Sequence, residues 1–519
     1  MKKIFSLSLH LLFFIPLLFS QSSDMNISNF PTSDTEPYLA VNPSNGNNLI
    51  AAWMRVTSFT QLSICTKASF DGGITWGNQN ILPHMSSNFT SADVSITFNN
   101  SGTAFLSYVD YKLVLDSGFV RIVNSANGGV SWSSPVNAVS AADSPDLPVD
   151  RPWIAADYTS GTYSGRLYLV SKSYFAATPP HKIWLSISSD SGSTWTPIKQ
   201  LDDSIPVGLT NIMGTPAVGA DGSLYVAYPS YVPSLSPFAR TICIKSTDGG
   251  NSFIPYPTQN YPANAAITDT LYQGSYSLSA NPANASNIVL QFTDQRNGDP
   301  DIESQFSVDG GITWSAVQRV NDDAMGNGVG QDMSWSAFSS SGIFAIAWRD
   351  RRNFGTSSQD SFEVFTAVST DGGISFFPNY QFSSAPSPFI NIQRGNDFIG
   401  VGLNSNTLFS DWCDRRTPNN EIFFRGESLS LIASSENNLS SSHIFARVYP
   451  NPSGSEIEIY DLNNRKYDLA VFDVSGRNIY TSQIAQCSSY KVPYKFSSGN
   501  YFFKLKFLSE EKTIKVVVK

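Results

Sequence analysis

The chain has 519 residues, a formal net charge of −9 and only 14% charged residues. Its length suffices for several domains or one large one, and its negative charge argues against a nucleic-acid partner, whose phosphates attract basic proteins. Aromatic residues make up 13% of the chain, Gly and Pro are frequent, and apolar residues fall in short blocks rather than at helical spacing. This composition predicts an all-β protein with many turns.

The first residues predict a secretory signal peptide. Met1, Lys2 and Lys3 make a basic start, residues 4–19 form a short apolar run, and small polar residues begin at Ser20. Pro16 and the shortness of the run argue against a membrane anchor. We therefore expect residues 1–20 to be removed during export, and we expect no transmembrane segment later in the chain.

One octapeptide recurs six times. Its first copy is Ser69-Phe-Asp71-Gly-Gly73-Ile-Thr75-Trp76. The acidic or amide positions of the six copies, which are 56 to 63 residues apart, are Asp71, Asn127, Asp190, Asp248, Asp309 and Asp371. Glycine permits a turn at positive φ, and an Asp or Asn side chain accepts hydrogen bonds from the turn's own backbone. A repeat of this length predicts an array of similar units, each with four short strands.

This octapeptide resembles the Asp box of the sialidase-type BNR-repeat β-propellers. The resemblance implies a propeller in which the boxes are structural and lie away from the binding face. A seventh, partial repeat covers residues 398–403, 407–412 and 421–425 but has no box and no fourth strand. Since a propeller must close its ring, we predict that residues 24–30 supply the missing strand by pairing with residues 421–427. This predicts seven blades over residues 24–426, and six blades, as in the family sialidases, is the alternative.

The composition predicts a polar linker at residues 427–446 and a small Ig-like β-sandwich at residues 447–519. The last segment closely resembles the type A C-terminal sorting domain of the Bacteroidetes type IX secretion system. The matching residues are Tyr449-Pro-Asn-Pro452, Asp473-Val-Ser-Gly-Arg477, Ser498-Gly-Asn-Tyr501 and Lys515-Val-Val-Val-Lys519. The resemblance implies passage through the periplasm, recognition by the type IX machinery, and a mature protein that is released or attached to the outer cell surface. An ordinary accessory module is the alternative.

Polar residues at two positions of the repeats predict a binding face. Residues that come at the starts of the predicted first strands, and so should surround the central axis, are Glu36, Asp93, Asp150, Arg151, Asp332 and Asp397. After the second strand, four repeats carry an acid followed two residues later by a base, at Asp110 and Lys112, Asp294 and Arg296, Asp350 and Arg352, and Asp414 and Arg416. Both positions open on the same face of a propeller.

Each of these predictions has a structural alternative. A catalytic residue normally occurs once, so the repeated acid–base pairs can equally be ion pairs that hold a loop. Arg151 is singular in its position and could hold a carboxylate with two hydrogen bonds, but it could also pair with Asp150.

The resemblance implies sialidase chemistry, in which three arginines hold the substrate carboxylate and Tyr, Glu and Asp side chains carry out hydrolysis. The Phe-Arg-Ile-Pro motif that provides the first of these arginines is missing, and Arg151-Pro152 is only a displaced echo of it. Tyr272 and Tyr276 are candidate nucleophiles, but no motif supports them, so no catalytic residue is assigned. We therefore expect a propeller that binds an extracellular glycan or glycoprotein, with an exo-sialidase as the alternative.

The histidine and cysteine patterns predict no metal site and no cofactor. Beyond the signal peptide only His84, His181 and His443 occur, and the four cysteines form no CxxC pair. We therefore expect neither a histidine-based metal site nor a His-dependent catalytic triad.

Overall fold

The fold is described from a computed structural model. The described residues are 23–58, 61–114, 116–140, 149–173, 182–201, 213–230, 240–260, 276–389, 398–434, 447–449, 457–460, 465–487, 489–507 and 510–519. They contain 35 β-strands and one short helix, so the chain is all-β as its composition predicts. Two compact units are present, one ending at Ala433 and the other beginning at Ser434. The predicted signal peptide, Asp397 and Tyr272 lie outside the described residues.

Seven four-stranded antiparallel sheets lie within the described part of the first unit. Sheet 1 comprises β2 (Ser33–Val41), β3 (Leu49–Ser58), β4 (Gln61–Ser69) and β5 (Asn80–Ile81). Sheet 2 comprises β6 (Phe89–Phe98), β7 (Ala104–Lys112), β8 (Gly118–Ser125) and β9 (Val136–Ser140). Sheet 3 comprises β10 (Val149–Ala156), β11 (Leu167–Ser173), β12 (Ile183–Ser188) and β13 (Lys199–Gln200). Sheet 4 comprises β14 (Thr215–Val218), β15 (Leu224–Ser230), β16 (Arg240–Ser246) and β17 (Ile254–Asn260).

The remaining sheets continue the series. Sheet 5 comprises β18 (Tyr276–Ala280), β19 (Ile288–Asp294), β20 (Asp301–Ser307) and β21 (Gln318–Arg319). Sheet 6 comprises β22 (Gln331–Phe338), β23 (Phe344–Asp350), β24 (Glu363–Ser369) and β25 (Tyr380–Gln381). Sheet 7 comprises β26 (Gly400–Leu403), β27 (Thr407–Asp414), β28 (Glu421–Ser428) and, from the start of the chain, β1 (Met25–Asn26).

Sheet 7 is completed by the start of the chain. Strand β1 pairs antiparallel with β28, with Met25 opposite Phe424. The amide of Ile27 continues this pairing by donating to the carbonyl of Ile422 over 2.9 Å. The predicted pairing is thus confirmed, and it covers an edge of β28 that would otherwise invite association with another chain.

The first strands of the sheets contact one another in a continuous series. Strand β2 contacts β6, β6 contacts β10, and the series passes through β14, β18, β22 and β26 back to β2. Second strands such as β3 and β19 are buried along most or all of their length, which explains their nearly continuous apolar sequences. Four-stranded sheets arranged in this way are typical of propeller blades.

The strand directions define two ends of the first unit. The side where the first strands begin, and where the second strands lead into the third strands, is called the charged end. We call the Asp-box end the opposite side, where the first strands finish and the octapeptide turns follow the third strands. Those predicted binding residues that the structure describes lie at the charged end, and the octapeptides lie at the other end.

The octapeptide turns share one hydrogen-bond pattern. In the first copy, the Ser69 hydroxyl donates to Asp71 Oδ1 and accepts from the amide of Gly73, both over 2.8 Å. The carboxylate of Asp71 accepts from the amide of Thr75 over 2.9 Å and from its hydroxyl over 2.5 Å. Gly73 has a φ of 85°, and a Cβ there would lie 2.3 Å from the ring of Phe424. The turn therefore requires glycine for both its conformation and its packing.

The second copy keeps this pattern with an amide in place of the carboxylate. Asn127 Oδ1 accepts from the amide of Ser131 over 3.0 Å, and Asn127 Nδ2 donates to its hydroxyl over 2.8 Å. An amide side chain therefore satisfies the same turn without a charge.

The segment after sheet 7 differs from the predicted linker at its start. Strand β28 continues to Ser428, and helix α1 (Leu429–Ser434) follows it. Leu429 and Ile432 lie three residues apart and pack on the cluster that includes residues of sheets 1, 6 and 7. One side of the helix is therefore buried through these two apolar residues. The surrounding sequence is mostly polar, so its composition predicted a linker and not a helix. Residues 435–446 of the predicted linker lie outside the described residues.

The second unit contains two sheets among its described residues. One comprises β29 (Arg447–Tyr449), β30 (Ile457–Tyr460) and β33 (Tyr490–Val492). The other comprises β31 (Arg465–Asp473), β32 (Asn478–Cys487), β34 (Gly499–Phe507) and β35 (Glu510–Val518). Both sheets contribute to a single apolar cluster, for example through Ile459, Leu469 and Phe503. No helix in the described parts of either unit is long and apolar enough to cross a bilayer.

Candidate functional site

Four first strands break their register near the charged end, each at a residue with positive φ. These residues are Glu36 in β2, Asp93 in β6, Arg151 in β10 and Met333 in β22, with φ between 49° and 52°. Positive φ is uncommon outside glycine, and a bulge re-aims the side chains around it. Three of the predicted binding residues therefore share one backbone conformation, and a fourth, Asp332, directly precedes Met333.

Arg151 pairs with a carboxylate of the neighbouring sheet. Its Nη1 lies 3.6 Å from Asp93 Oδ1, and its guanidinium lies 4.4 Å from the centre of the Phe398 ring. The adjacent Asp150 instead lies 3.1 Å from Lys172 Nζ and accepts from the Arg151 amide over 2.9 Å. Burial alone would raise the pKa of Asp150, but Lys172, Asp93 and Arg151 together lower it.

Two arginines that the sequence analysis did not single out meet at Asp332. Arg349 binds it with two hydrogen bonds of 2.7 and 2.9 Å, and Arg351 Nη1 lies 3.1 Å from its second oxygen. Burial would raise the pKa of Asp332, but the two guanidinium groups lower it. Arg349 lies near the end of β23, and Arg351 directly follows that strand. The contact with Asp332 could therefore have been predicted by placing the end of each second strand beside the start of the first strand of the same sheet.

Three of the four repeated acid–base pairs form ion pairs within their own sheets. Arg296 bonds Asp294, Arg352 Nη2 lies 2.8 Å from Asp350, and Arg416 Nη2 lies 2.6 Å from Asp414. The backbone amide of each arginine also donates to the same aspartate. The spacing of two residues therefore lets each arginine bind the preceding aspartate through both its guanidinium group and its backbone amide.

The arginines of these three pairs also lie over aromatic rings. The guanidinium carbons are 5.7, 4.2 and 4.6 Å from the ring centres of Phe292, Phe365 and Phe423, respectively. Such stacking adds to the ion pair and fixes the plane of the guanidinium group. The three groups repeat on sheets 5, 6 and 7 as equivalent structures.

The fourth repeat departs from this arrangement. Lys112 lies 3.3 Å from Asp116, and Asp110 has other partners, His84 at 3.0 Å and Arg121 at 3.4 Å. A lysine cannot form the bidentate contact that arginine makes with a carboxylate. The sequence similarity of this repeat to the other three therefore does not extend to its contacts.

A buried acidic group lies at the charged end of sheet 5. Asp301 accepts from Arg319 Nε over 2.6 Å and from Asn321 over 2.8 Å. Glu303 accepts from Asn297 over 2.9 Å. Burial, reinforced by Asp294 and Asp301, raises the pKa of Glu303 to about 8.

An aromatic layer crosses the middle of the first unit. It consists of Tyr38, Trp153, Trp335 and Phe398, with ring centres 5.0 to 6.2 Å apart in five pairs. Three of these residues follow the bulge residues Glu36, Arg151 and Met333 by two positions. The bulges thus place polar side chains at the charged end and aromatic side chains next to them, on the side towards the Asp-box end.

A cavity of about 580 Å³ lies on the other side of this layer, at the Asp-box end. Tyr38 and Trp335 form part of its wall, together with Phe98, Phe338 and Asn404. Its described lining contains aliphatic, aromatic, hydroxyl and amide side chains and no charged one. The two ends of the first strands therefore present opposite chemistry.

Two family models match parts of the chain. Residues 447–519 match the secretion system C-terminal sorting domain, and residues 305–316 match the BNR/Asp-box repeat. No curated protein matches the sequence.

Several solved structures are similar to the chain at low identity. The Hadza microbial sialidase Hz136 is 12% identical over 77% of this chain and 66% of its own, with a TM-score of 0.38. The NanB sialidase from Streptococcus pneumoniae is 15% identical over 80% of this chain and 70% of its own, with a TM-score of 0.40. The α-L-arabinanase of Penicillium chrysogenum is 13% identical over 79% of this chain and 99% of its own, with a TM-score of 0.45.

The family matches confirm both resemblances found in the sequence. The octapeptide at Asp309 lies within the matched BNR/Asp-box segment, and the sorting-domain match begins at Arg447 and ends at Lys519. The chain therefore carries a BNR/Asp-box repeat and a secretion system C-terminal sorting domain, and the sorting domain indicates export to the cell surface or the surroundings.

Proposed function

We propose that residues 24–426 form a closed seven-bladed propeller that binds glycans or glycoproteins outside the cell. The continuous series of contacts between first strands and the pairing of β1 with β28 support seven blades. We further propose that residues 447–519 form an Ig-like sandwich that is recognised by the type IX machinery. Its two sheets around one apolar cluster support this.

One observation carries the choice of binding over sialidase activity. Arg296, Arg352 and Arg416 each pair with the aspartate of their own sheet, on three successive sheets. A sialidase-type site needs three arginines that converge on one substrate carboxylate. Here a substrate carboxylate would have to compete with a resident carboxylate at every one of these arginines, so the arrangement favours a ligand without a negative charge.

The same three pairs suit a ligand rich in hydroxyl groups. A paired guanidinium and carboxylate form a neutral plane with donors and acceptors at its edge, and hydroxyl groups bind to both. The side chains of Arg296, Arg352 and Arg416 are partly exposed, at 24%, 16% and 20%. Because the pairs repeat from sheet to sheet, they favour a ligand that extends over several sugar units.

The test is binding of the full chain to an array of neutral and sialylated glycans. A triple variant, Arg296→Leu with Arg352→Leu and Arg416→Leu, removes the three guanidinium groups. We expect it to lose at least about tenfold in affinity for neutral glycans, equivalent to one good hydrogen bond or more. The matched control is Arg477→Leu, which removes an exposed arginine paired with Asp473 in the second unit at 3.2 Å.

Two results would overturn the proposal. One is an array on which the folded wild-type chain binds no glycan. The other is release of sialic acid from a fluorogenic sialoside that disappears with Arg151→Ala, which would establish the sialidase instead. Thermal unfolding of each variant checks that a loss of binding is not a loss of folding.

A further inference from the structure

A serine, a histidine and an aspartate form a chain of hydrogen bonds where sheets 1 and 2 meet. Ser63 in β4 has its Oγ 3.1 Å from His84 Nε2. His84 Nδ1 lies 3.0 Å from Asp110 Oδ1 at the end of β7. These distances match the relation between a nucleophile, a general base and a group that orients the base.

The partners of His84 determine which of its nitrogens carries the proton. The amide nitrogen of Gln61 lies 3.2 Å from Nε2 and can only donate a hydrogen bond. Nε2 must therefore accept, and the proton of the neutral ring is on Nδ1, facing Asp110. This is the tautomer in which Nε2 can take a proton from the Ser63 hydroxyl.

The orienting aspartate is itself held in place. Asp110 Oδ2 accepts from the backbone amide of Met85 over 2.6 Å, and its Oδ1 accepts from the Ser91 hydroxyl over 3.0 Å. Ser91 Oγ is also 2.9 Å from His84 Nδ1. Arg121 Nη1 contributes a positive charge 3.4 Å from Asp110 Oδ2, the oxygen that does not contact His84. The aspartate is fully buried, so this set of contacts fixes its position.

The serine and histidine are close to the surface. The side chain of His84 is 17% exposed and Ser63 is 8% exposed. Two apolar residues beside them are largely exposed, Ile81 at 58% and Met85 at 46%. Ile81 lies opposite Cys65, two residues from Ser63 along β4, and Met85 directly follows His84. Exposed apolar side chains at these positions favour a substrate with an apolar acyl group.

We propose that Ser63, His84 and Asp110 form a hydrolytic triad that cleaves carboxylic esters with an apolar acyl group. Ser63 is the nucleophile, His84 is the general base and acid, and Asp110 is a positioning residue. We assign the oxyanion donor to the side-chain amide of Gln61, which lies 3.2 Å from His84 Nε2 and would turn from it to the carbonyl oxygen of a bound ester. This activity is independent of the proposed glycan binding, which uses sheets 5 to 7.

The reaction needs only water as a second substrate. Ser63 Oγ attacks the ester carbonyl carbon while its proton passes to His84 Nε2. The tetrahedral intermediate collapses, the bond to the alcohol oxygen breaks, and the alcohol leaves with the proton from His84. Water then attacks the acyl-serine, giving its proton to His84, and the carboxylic acid is released as Ser63 recovers its proton.

This proposal departs from an expectation from the sequence. A His-dependent triad was not expected because histidines are few, but one histidine suffices when the fold brings the other two groups to it. Ser63, His84 and Asp110 lie on three different strands or loops and are 21 and 26 residues apart in sequence. The spacing of these residues in the sequence does not predict such a contact, because the contact depends on how two sheets pack.

The test treats the full chain with a fluorescent fluorophosphonate, which reacts with activated serines, and follows hydrolysis of p-nitrophenyl butyrate in parallel. We expect labelling of the wild type at Ser63, located by peptide mass spectrometry. Ser63→Ala and His84→Gln should abolish both labelling and hydrolysis. Gln61→Ala should lower hydrolysis about 100-fold. Ser86→Ala, an exposed serine near the site that bonds Asn88, should change neither.

The positioning role has its own measurement. Ser91→Ala keeps the aspartate but removes one hydrogen bond to it, and we expect a labelling rate about tenfold lower in a chain that thermal unfolding shows to be still folded at the assay temperature. The proposal is overturned if the folded wild type is not labelled and hydrolyses the ester no faster than Ser63→Ala. It is also overturned if labelling persists in Ser63→Ala.

Discussion

Strand β20 carries Glu303 near its start, at the charged end. At the Asp-box end, the strand leads into the turn that contains Asp309. Burial and the neighbouring Asp294 and Asp301 raise the pKa of Glu303 to about 8. Burial would also raise the pKa of Asp309, but the hydroxyl and amide of Thr313 donate to its carboxylate and lower it. One strand and the turn that follows it thus carry two carboxyl groups whose pKa values move in opposite directions.

This difference shows two ways of holding a carboxylate. At the Asp-box end, donors within eight residues stabilise the charge, so each turn is independent of the rest of the fold. At the charged end, carboxylates are stabilised by cations from other strands or other sheets, as Asp93 is by Arg151. We therefore expect the loss of a carboxylate that is paired with cations at the charged end to destabilise the fold more than substitutions in the boxes do.

The largest effect is expected from Asp332→Asn. The change leaves Arg349 and Arg351 buried without the carboxylate that both of them contact. Breaking a buried pair in this way costs about 3–5 kcal/mol of unfolding free energy. Chemical denaturation of the full chain at pH 7 measures it, and a loss below about 1 kcal/mol would contradict the prediction.

Asp322→Asn is the matched control for that variant. Asp322 also pairs with an arginine, with 2.6 Å between its Oδ1 and Arg352 Nη1, but its side chain is 38% exposed. Exposed ion pairs contribute about 0–1 kcal/mol, so this variant should unfold almost as the wild type does. A similar loss in both variants would show that burial does not separate the two ion pairs.

An intermediate effect, dependent on pH, is expected from Glu303→Gln. Glu303 in the unfolded chain loses its proton near pH 4.5, whereas the folded chain retains it up to about pH 8. The folded state therefore loses stability as pH rises from about 4.5 to 8. The glutamine cannot ionise and still accepts from Asn297, so the variant should be more stable at pH 8 by on the order of 2 kcal/mol.

Measurement of this variant at pH 5 provides the control. At that pH the glutamate is protonated in the folded state, and the two proteins should unfold at nearly the same denaturant concentration. An equal difference at pH 5 and pH 8 would mean that the substitution acts through packing and not through the proton.

Local structure was the part of the fold that the sequence predicted best. The box turns were predicted from eight consecutive residues because all of their hydrogen bonds, such as those of Asp71 to Thr75, stay within the turn. The closure by residues 24–30 was predicted by counting strands, since a partial repeat at one end of the chain requires its missing strand from the other.

Contacts between sheets were harder to predict. The pairing of Arg151 with Asp93 joins sheets 2 and 3, and His84, in the loop between sheets 1 and 2, joins them by contacting Ser63 and Asp110. Both depend on the packing of neighbouring sheets, which no spacing within one repeat records. The aromatic layer is visible in the sequence as a repeated position, since Tyr38 and Trp153 each come two residues after the bulge residue of their strand.

The smallest effect is expected in the boxes themselves. Asp309→Ala removes the acceptor of two hydrogen bonds from Thr313, and we expect the thermal midpoint to fall by roughly 2 °C. Asp309→Asn should fall by less, because Asn127 serves the same turn in the second copy. Thermal unfolding at pH 7 compares the two variants with the wild type.

Acidification separates the charge of Asp309 from its hydrogen bonds. Its lowered pKa means that the ionised carboxylate stabilises the fold above about pH 4, and that this contribution is lost as pH falls through the folded-state pKa. The difference between the wild type and Asp309→Asn should therefore shrink from pH 7 to pH 3, while Asp309→Ala stays below both. A difference between wild type and Asp309→Asn that does not change with pH would show that the box depends on an acceptor oxygen alone. The Asp-box end would then differ from the charged end in needing no charge at all.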